Sequence, residues 1–367
     1  MLTLLIATVF TSRASMAPGT PIVASINGFV VDPIVSISID GKPDEKFGLT
    51  MTTRHSIVID KDDAGSSRKL SIGGKTLATA ELESPGASVH PVLNALGLSV
   101  LNNMAIGIDY SKNQITFWPG GHLSEADADA WVLRSPKWAT DAKVWKAKIE
   151  RRADVAPVLP VMVDGKKMDL LLRIGKEGTS FAKGEEPNGG TAVEYGPGGN
   201  QAILGNVGIG DVSLPWILYF RGVSYDPRKA IDPSIVGTFT TENLLARRMI
   251  IDLSGGDLYC EQLAPDQQLS MFLTAWLQLP IDVQGGKIFL REMPGTSFFG
   301  QLAPIYNSEV LELMGQPTET VLTAARDFTG DHRLLLKVLF EKVWQGFKVK
   351  IKRPNGQVQE VTFDPPK

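Results

Sequence analysis

His55, Ser56 and Asp60 lie close together and are the residue types of a hydrolytic triad. A serine attacks a carbonyl only when a base in reach takes its proton and a third group orients that base. His55 and Ser56 are neighbours in an extended run. Neighbours on a strand point to opposite faces, so the first is not placed to activate the second. Two other segments carry reactive types directly after an apolar run: Thr50-Met51-Thr52 and Arg173-Ile174-Gly175. An arginine stays protonated and cannot act as a base. A threonine hydroxyl needs a neighbouring base before it can relay a proton. The nearest acids, Asp60 and Asp169, stand well beyond the first turn and at the far end of the strand before the second, and read as loop or strand-end acids. The sequence has no G-x-S-x-G elbow, phosphate-binding loop or dinucleotide fingerprint. Cys260 is alone and His55, His90, His122 and His332 are scattered, so neither a disulfide nor a metal or cofactor site is implied.

The elements that position these turns occur twice. Val161 to Val163 alternates like a strand, Asp164-Gly165 is a two-residue hairpin signal, and Met168 to Leu172 is a buried return strand that delivers Arg173. Earlier, Val35-Ser-Ile-Ser-Ile-Asp-Gly41 leads through the same kind of hairpin to Phe47-Gly-Leu and Thr50. The parallel continues downstream. Leu70-Ser-Ile-Gly-Gly-Lys-Thr-Leu77 answers Val207-Gly-Ile-Gly-Asp-Val-Ser-Leu214. The stretch from Leu101 to Phe117 answers that from Leu244 to Tyr259: a short helical segment, a strand ending Ile-Asp, a serine-containing turn and a return strand. The sequence predicts two copies of one β-lobe, over residues 25–121 and 154–263.

This double layout resembles the aspartic peptidases of the retropepsin and pepsin type. In that family a hairpin leads to a hydrophobic strand ending Asp-Thr/Ser-Gly, and a leucine-rich helix and an Ile-Asp-Tyr strand close the lobe. Gly237-Thr-Phe-Thr-Thr-Glu-Asn-Leu244 is similar to the Gly-x-x-Phe-Leu entry to that helix. The resemblance puts Thr50, Met51 and Thr52, then Arg173, Ile174 and Gly175, on the Asp-Thr-Gly places, with the first register open by one residue. It implies chemistry by two carboxylates that share one proton. Here both acid places hold other residues, so the dyad is expected to be degenerate. It also matches Gly196-Pro197-Gly198-Gly199 by position to the flap that closes over substrate; the residues alone equally fit a plain surface hairpin.

Residues 276–365 resemble a PDZ domain of the bacterial type, on Lys287-Ile-Phe-Leu-Arg-Glu-Met-Pro-Gly-Thr-Ser and on Val310-Leu-Glu-Leu-Met-Gly-Gln-Pro317. Asn307-Ser308 and Phe298-Phe299 depart from that pattern. Ile288, Phe289 and Leu290 are expected on an exposed edge strand able to pair with an extended polypeptide or a protein C-terminus. The fold class expected is therefore mainly β: two retropepsin-like lobes and a C-terminal PDZ-like β-sandwich.

Composition agrees with an ordinary folded protein: 367 residues, 43% hydrophobic, 21% charged, net charge −3. With no basic block, nucleic acid is not the expected partner. Met1 to Met16 carries an apolar run suited to a signal peptide and too short to span a bilayer, which predicts export; a buried first strand is the alternative. No other stretch is long and apolar enough to span. Residues 122–153 read as a charged helical linker in which Trp131, Trp138 and Trp145 recur every seven residues, either packed on a lobe or forming a docking face. Three functions stay open: a catalytically degenerate peptidase-like protein that binds extended polypeptide, an active endopeptidase whose acids lie elsewhere, and a structural scaffold of the cell envelope.

Overall fold

Alternation builds the first lobe. The computed structural model describes residues 19–26, 33–51, 55–60, 62–85, 93–134, 143–152, 156–163, 165–175, 179–187, 189–195, 200–223, 232–244, 246–277, 281–291, 305–327, 330–343 and 345–363. Its strands are β1 (Ile22–Ser25), β2 (Ile34–Ile39), β3 (Glu45–Leu49), β4 (Ser56–Ile57), β5 (Ser67–Ile72), β6 (Lys75–Glu83) and β7 (Asn94–Leu96). Helix α1 (Leu98–Leu101), β8 (Met104–Asp109) and β9 (Gln114–Pro119) follow. Val35, Ile37 and Ile39 point into the core while Ile34, Ser36 and Ser38 face outward, the period of two that a half-buried strand requires. Asp40 and Gly41 both take positive φ, 50° and 80°, as a tight hairpin turn demands. Strands β2, β3, β7, β4, β6 and β5 close into a barrel.

The segment between the lobes corrects one expectation. Helix α2 (Glu125–Val132) is capped by Ser124, whose Oγ accepts from the Asp127 N–H at 3.2 Å. The second half of the expected helical linker is strand: β10 (Lys143–Lys148) pairs with a later strand, with Trp145 opposite Cys260. Trp145 and Ala147 are buried while Lys146 and Lys148 face outward, so the period there is two and not seven. Trp131 packs edge-on against Trp118 at 5.6 Å, on the sheet; Trp138 lies outside the described residues.

The second lobe repeats the weave of the first. It comprises β11 (Glu150–Arg152), β12 (Ala156–Val163), β13 (Lys166–Arg173), β14 (Thr179–Ala182), β15 (Thr191–Tyr195), β16 (Asn200–Ile209), β17 (Val212–Val223) and β18 (Ile235–Thr240). A 3-10 turn at Thr241–Leu244, β19 (Arg248–Asp252) and β20 (Asp257–Gln262) complete it. Strand β13 runs parallel to β18 as β3 runs parallel to β7. Strand β14 is antiparallel to β18 and parallel to β17, as β4 is to β7 and β6. A six-stranded sheet, β1-β9-β8-β19-β20-β10, takes three strands from each half and joins the lobes. At its centre Ile106 faces Ile251 and Ile108 faces Met249, the symmetric register that two copies of one Ile-Asp strand give.

A third unit follows: α3 (Pro265–Leu277), β21 (Ile281–Gln284), β22 (Lys287–Leu290), β23 (Glu309–Leu313), β24 (Gln316–Pro317), α4 (Thr318–Arg326), α5 (Gly330–Val343), β25 (Phe347–Lys352) and β26 (Val358–Phe363). The sheet order is β21-β22-β23-β25-β26, with β24 paired to β23. One apolar core runs through both lobes. A second belongs to the third unit and takes in Val193, Ala202 and Leu204 of the second lobe. No described helix is long and apolar enough to cross a membrane.

Candidate functional site

The two turns of interest end β3 and β13. In the first lobe Thr50 donates its N–H to Leu96 O at 3.0 Å, and Met51 is buried behind it. The fully buried Ser56 hydroxyl then accepts the N–H of Gly97 at 3.0 Å. In the second lobe the fully buried Thr179 hydroxyl accepts the N–H of Thr240 at 3.4 Å and an amide hydrogen of Asn243 at 2.8 Å. Leu49 faces Leu96 one residue before the first pair, and Leu172 faces Phe239 one residue before the second. Thr50 precedes Ser56 by the same interval as Arg173 precedes Thr179. The two therefore hold matching places in the two lobes.

Beyond Arg173, which is half-buried, the turn is anchored from within. Ile174 is buried, and Gly175 has φ 134°, a conformation that side chains disfavour. Its N–H donates to Thr241 Oγ1 at 3.3 Å. The Tyr110 hydroxyl lies 3.5 Å from the same oxygen, so the turn after β8 in the first lobe reaches the turn of the second. Thr52 and Gly196 to Gly199 lie outside the described residues.

The other candidates are held apart. His55 Nδ1 lies 2.9 Å from Glu83 Oε1 on the exposed surface, while the Ser56 hydroxyl faces the interior, so the two do not form a triad. Asp60 accepts the N–H of Asp62 within an exposed loop. Asp169 is bonded to Arg152 at 2.8 Å and sits in the middle of β13, four residues before Arg173. Cys260 is fully buried in β20, and burial pushes its thiol well above the usual range, leaving no thiolate to attack.

The structure buries the two acids that end the repeated Ile-Asp strands as a symmetric pair. Asp109 accepts from Ser111 Oγ at 2.5 Å and from Lys112 N–H at 3.2 Å; Asp252 accepts from Ser254 Oγ at 2.7 Å and from Gly255 N–H at 2.8 Å. Their outer oxygens meet Arg248 at 2.9 Å and His122 at 2.6 Å. Each carboxylate is engaged on both oxygens, a structural arrangement that leaves neither free to activate water. The repeated Asp-x-Ser in Asp109-Tyr110-Ser111 and Asp252-Leu253-Ser254 was the available signal.

The third unit overturns the expected edge strand. β22 lies between β21 and β23, with Phe289 opposite both Asp282 and Glu309, and with Ile288 and Leu290 fully buried. Gly285 and Gly286 take φ of 55° and 76°, and β21 folds back over the expected edge through their turn. The outer side of β21 is occupied in turn. Ser270 Oγ accepts from Val283 N–H at 2.7 Å, while Thr274 Oγ1 accepts from Ile281 N–H and donates to Ile281 O, both at 3.1 Å. Helix α3 thus supplies the hydrogen bonds that another strand would make. On the lobe side, α5 packs on β15, and Glu194 N–H donates to Glu341 Oε1 at 3.4 Å. The hairpin β15–β16 is therefore tethered to the third unit.

These pairings define a class: a mainly β protein of two similarly woven lobes joined by one sheet, with a third unit seated on a hairpin of the second lobe. No family model matches the chain, and no curated protein matches it. Among solved structures, the aspartic proteinase from Irpex lacteus is similar with a TM-score of 0.45 and 7% identity, over 67% of this chain and 98% of that one. So loose a likeness says nothing of residues or activity, and the lobe architecture rests on the strand pairings above.

Proposed function

We propose that this chain is a catalytically inert, pepsin-type protein that binds extended polypeptide between its lobes, with a PDZ-like third unit attached. The observation that supports the reading is the pair Thr50 and Arg173: they hold matching places in the two lobes, and neither is a carboxylate. Peptide hydrolysis by this class needs two acids that share a proton, one to activate water and one to donate to the carbonyl. Losing a single general acid or base costs about 10²–10⁴-fold, and here both are replaced. The Arg173 guanidinium suits a peptide carbonyl or carboxylate, which it can hold by charge-assisted hydrogen bonds. Export is part of the proposal and rests on the apolar run within Met1 to Met16.

The test is incubation of the purified chain with an unstructured protein from acidic to neutral pH, with and without an inhibitor that mimics the tetrahedral intermediate. The expected result is no inhibitor-sensitive cleavage, together with saturable binding of the same unfolded protein. Inhibitor-sensitive cleavage that persists in repeated preparations would overturn it.

A further inference from the structure

We propose that the edge of β26 is a docking site for an extended polypeptide strand whose outward side chains are basic and whose inward side chains are apolar. This site is separate from the space between the lobes and does not depend on it. Among the described residues β26 pairs with β25 alone. Arg353 N–H donates to Gln357 O at 2.8 Å, which sets the alternation of the ladder. Gln359, Val361 and Phe363 then bond to β25, and Val358, Glu360 and Thr362 direct their main-chain N–H and C=O groups away from it. Where α3 closes the far edge of the same sheet with side-chain hydroxyls, no other described strand pairs with the outer edge of β26.

Charge on the solvent face identifies the occupant. Sign alternates from strand to strand: Lys287 of β22 pairs with Glu309 of β23 at 2.8 Å, Glu312 of β23 with Lys350 of β25 at 2.7 Å, and Lys348 of β25 with Glu360 of β26 at 2.6 Å. The next strand in that series is basic. Like charges directly opposite one another are disfavoured, so an acidic strand fits poorly, as does a second copy that sets Glu360 against Glu360. On the other face Val361 and Phe363 pack partly buried against the third-unit core, and apolar side chains on the added strand would extend it. An open groove of about 600 Å³ lies beside the strand's C-terminal end, where Glu312, Lys348, Lys350 and Glu360 of the charged face meet Met314 and Phe363.

The probe is a fluorescent synthetic peptide that alternates lysine and valine, titrated into the full chain at low salt and compared with its glutamate–valine counterpart. The lysine peptide is expected to bind saturably and at least about tenfold more tightly. Glu360→Lys should reverse that preference. Thr362→Pro should abolish binding with circular dichroism unchanged, because the N–H it removes points away from β25. If that variant unfolds, Val358→Pro at the other end of the strand makes the same test. Equal binding of the two peptides, or binding that survives a folded proline variant, overturns the proposal. So does sedimentation showing that the chain dimerises through this edge.

Discussion

Asp109 of the first lobe and Arg248 of the second face each other across the middle of the joining sheet, 2.9 Å apart and almost sealed from water. Among the described residues neither charge has another ion-pair partner if the other is removed. Asp109→Ala should therefore cost about 3–5 kcal/mol in chemical denaturation, the usual penalty for orphaning a buried charge. The double variant Asp109→Leu with Arg248→Met should recover much of that loss. Equal destabilisation by single and double variants would show that the sheet does not depend on the pair.

The two interior hydroxyls should behave alike. Ser56→Ala and Thr179→Val each strand a buried backbone N–H, of Gly97 and of Thr240. Each is expected to lower stability by about 1–3 kcal/mol. Matching midpoint shifts in urea would show that the lobes use their symmetric contacts equally.

Arg173→Asp alone should leave the chain unable to cleave protein substrate at any pH from acidic to neutral. It restores one acid while Thr50 still offers no partner for a shared proton. Cleavage by that single variant would locate the second acid elsewhere.

The hairpin β15–β16 should loosen when its support on α5 is weakened. Leu336→Ala opens space in the core that Val193 and Leu204 share, with an expected loss of about 2–5 kcal/mol. Hydrogen exchange should rise in Thr191–Tyr195 more than in the distant β8 and β9. Unchanged exchange there would mean that the hairpin holds its shape without the third unit.

Cys260 should resist thiol reagents at mildly alkaline pH in the native chain and react on unfolding. Its thiol stays protonated because burial raises its pKa, so the reactive thiolate forms only when the core opens. Fast labelling of the folded protein would contradict the burial of β20.

Much of the architecture could be read locally. Asp40-Gly41 and Gly73-Gly74 force tight turns through their own backbone conformations, and the repeated Ile-Asp strands advertise duplication because each copy needs the same local pattern. Around Trp145 two patterns compete, a period of two in Trp145, Ala147 and their lysine neighbours and a seven-residue tryptophan spacing that suits a helix. Local chemistry therefore determined the turns, the strand grammar and the absence of carboxylates at Thr50 and Arg173.

Partnership was decided only in three dimensions. Ile288 to Leu290 have the composition of a strand wherever they lie, and whether that strand is an edge depends on β21 folding over it. Nothing in the residues of β22 states that Ser270 and Thr274, on the helix before β21, would close β21 in turn. The same holds for Asp109 and Arg248, whose charges are tolerable only because the lobes bring them together. Hydrogen bonds within a turn join neighbours and are written in adjacent residues. Pairing and burial join distant ones, and are settled by which arrangement leaves the fewest polar groups unsatisfied.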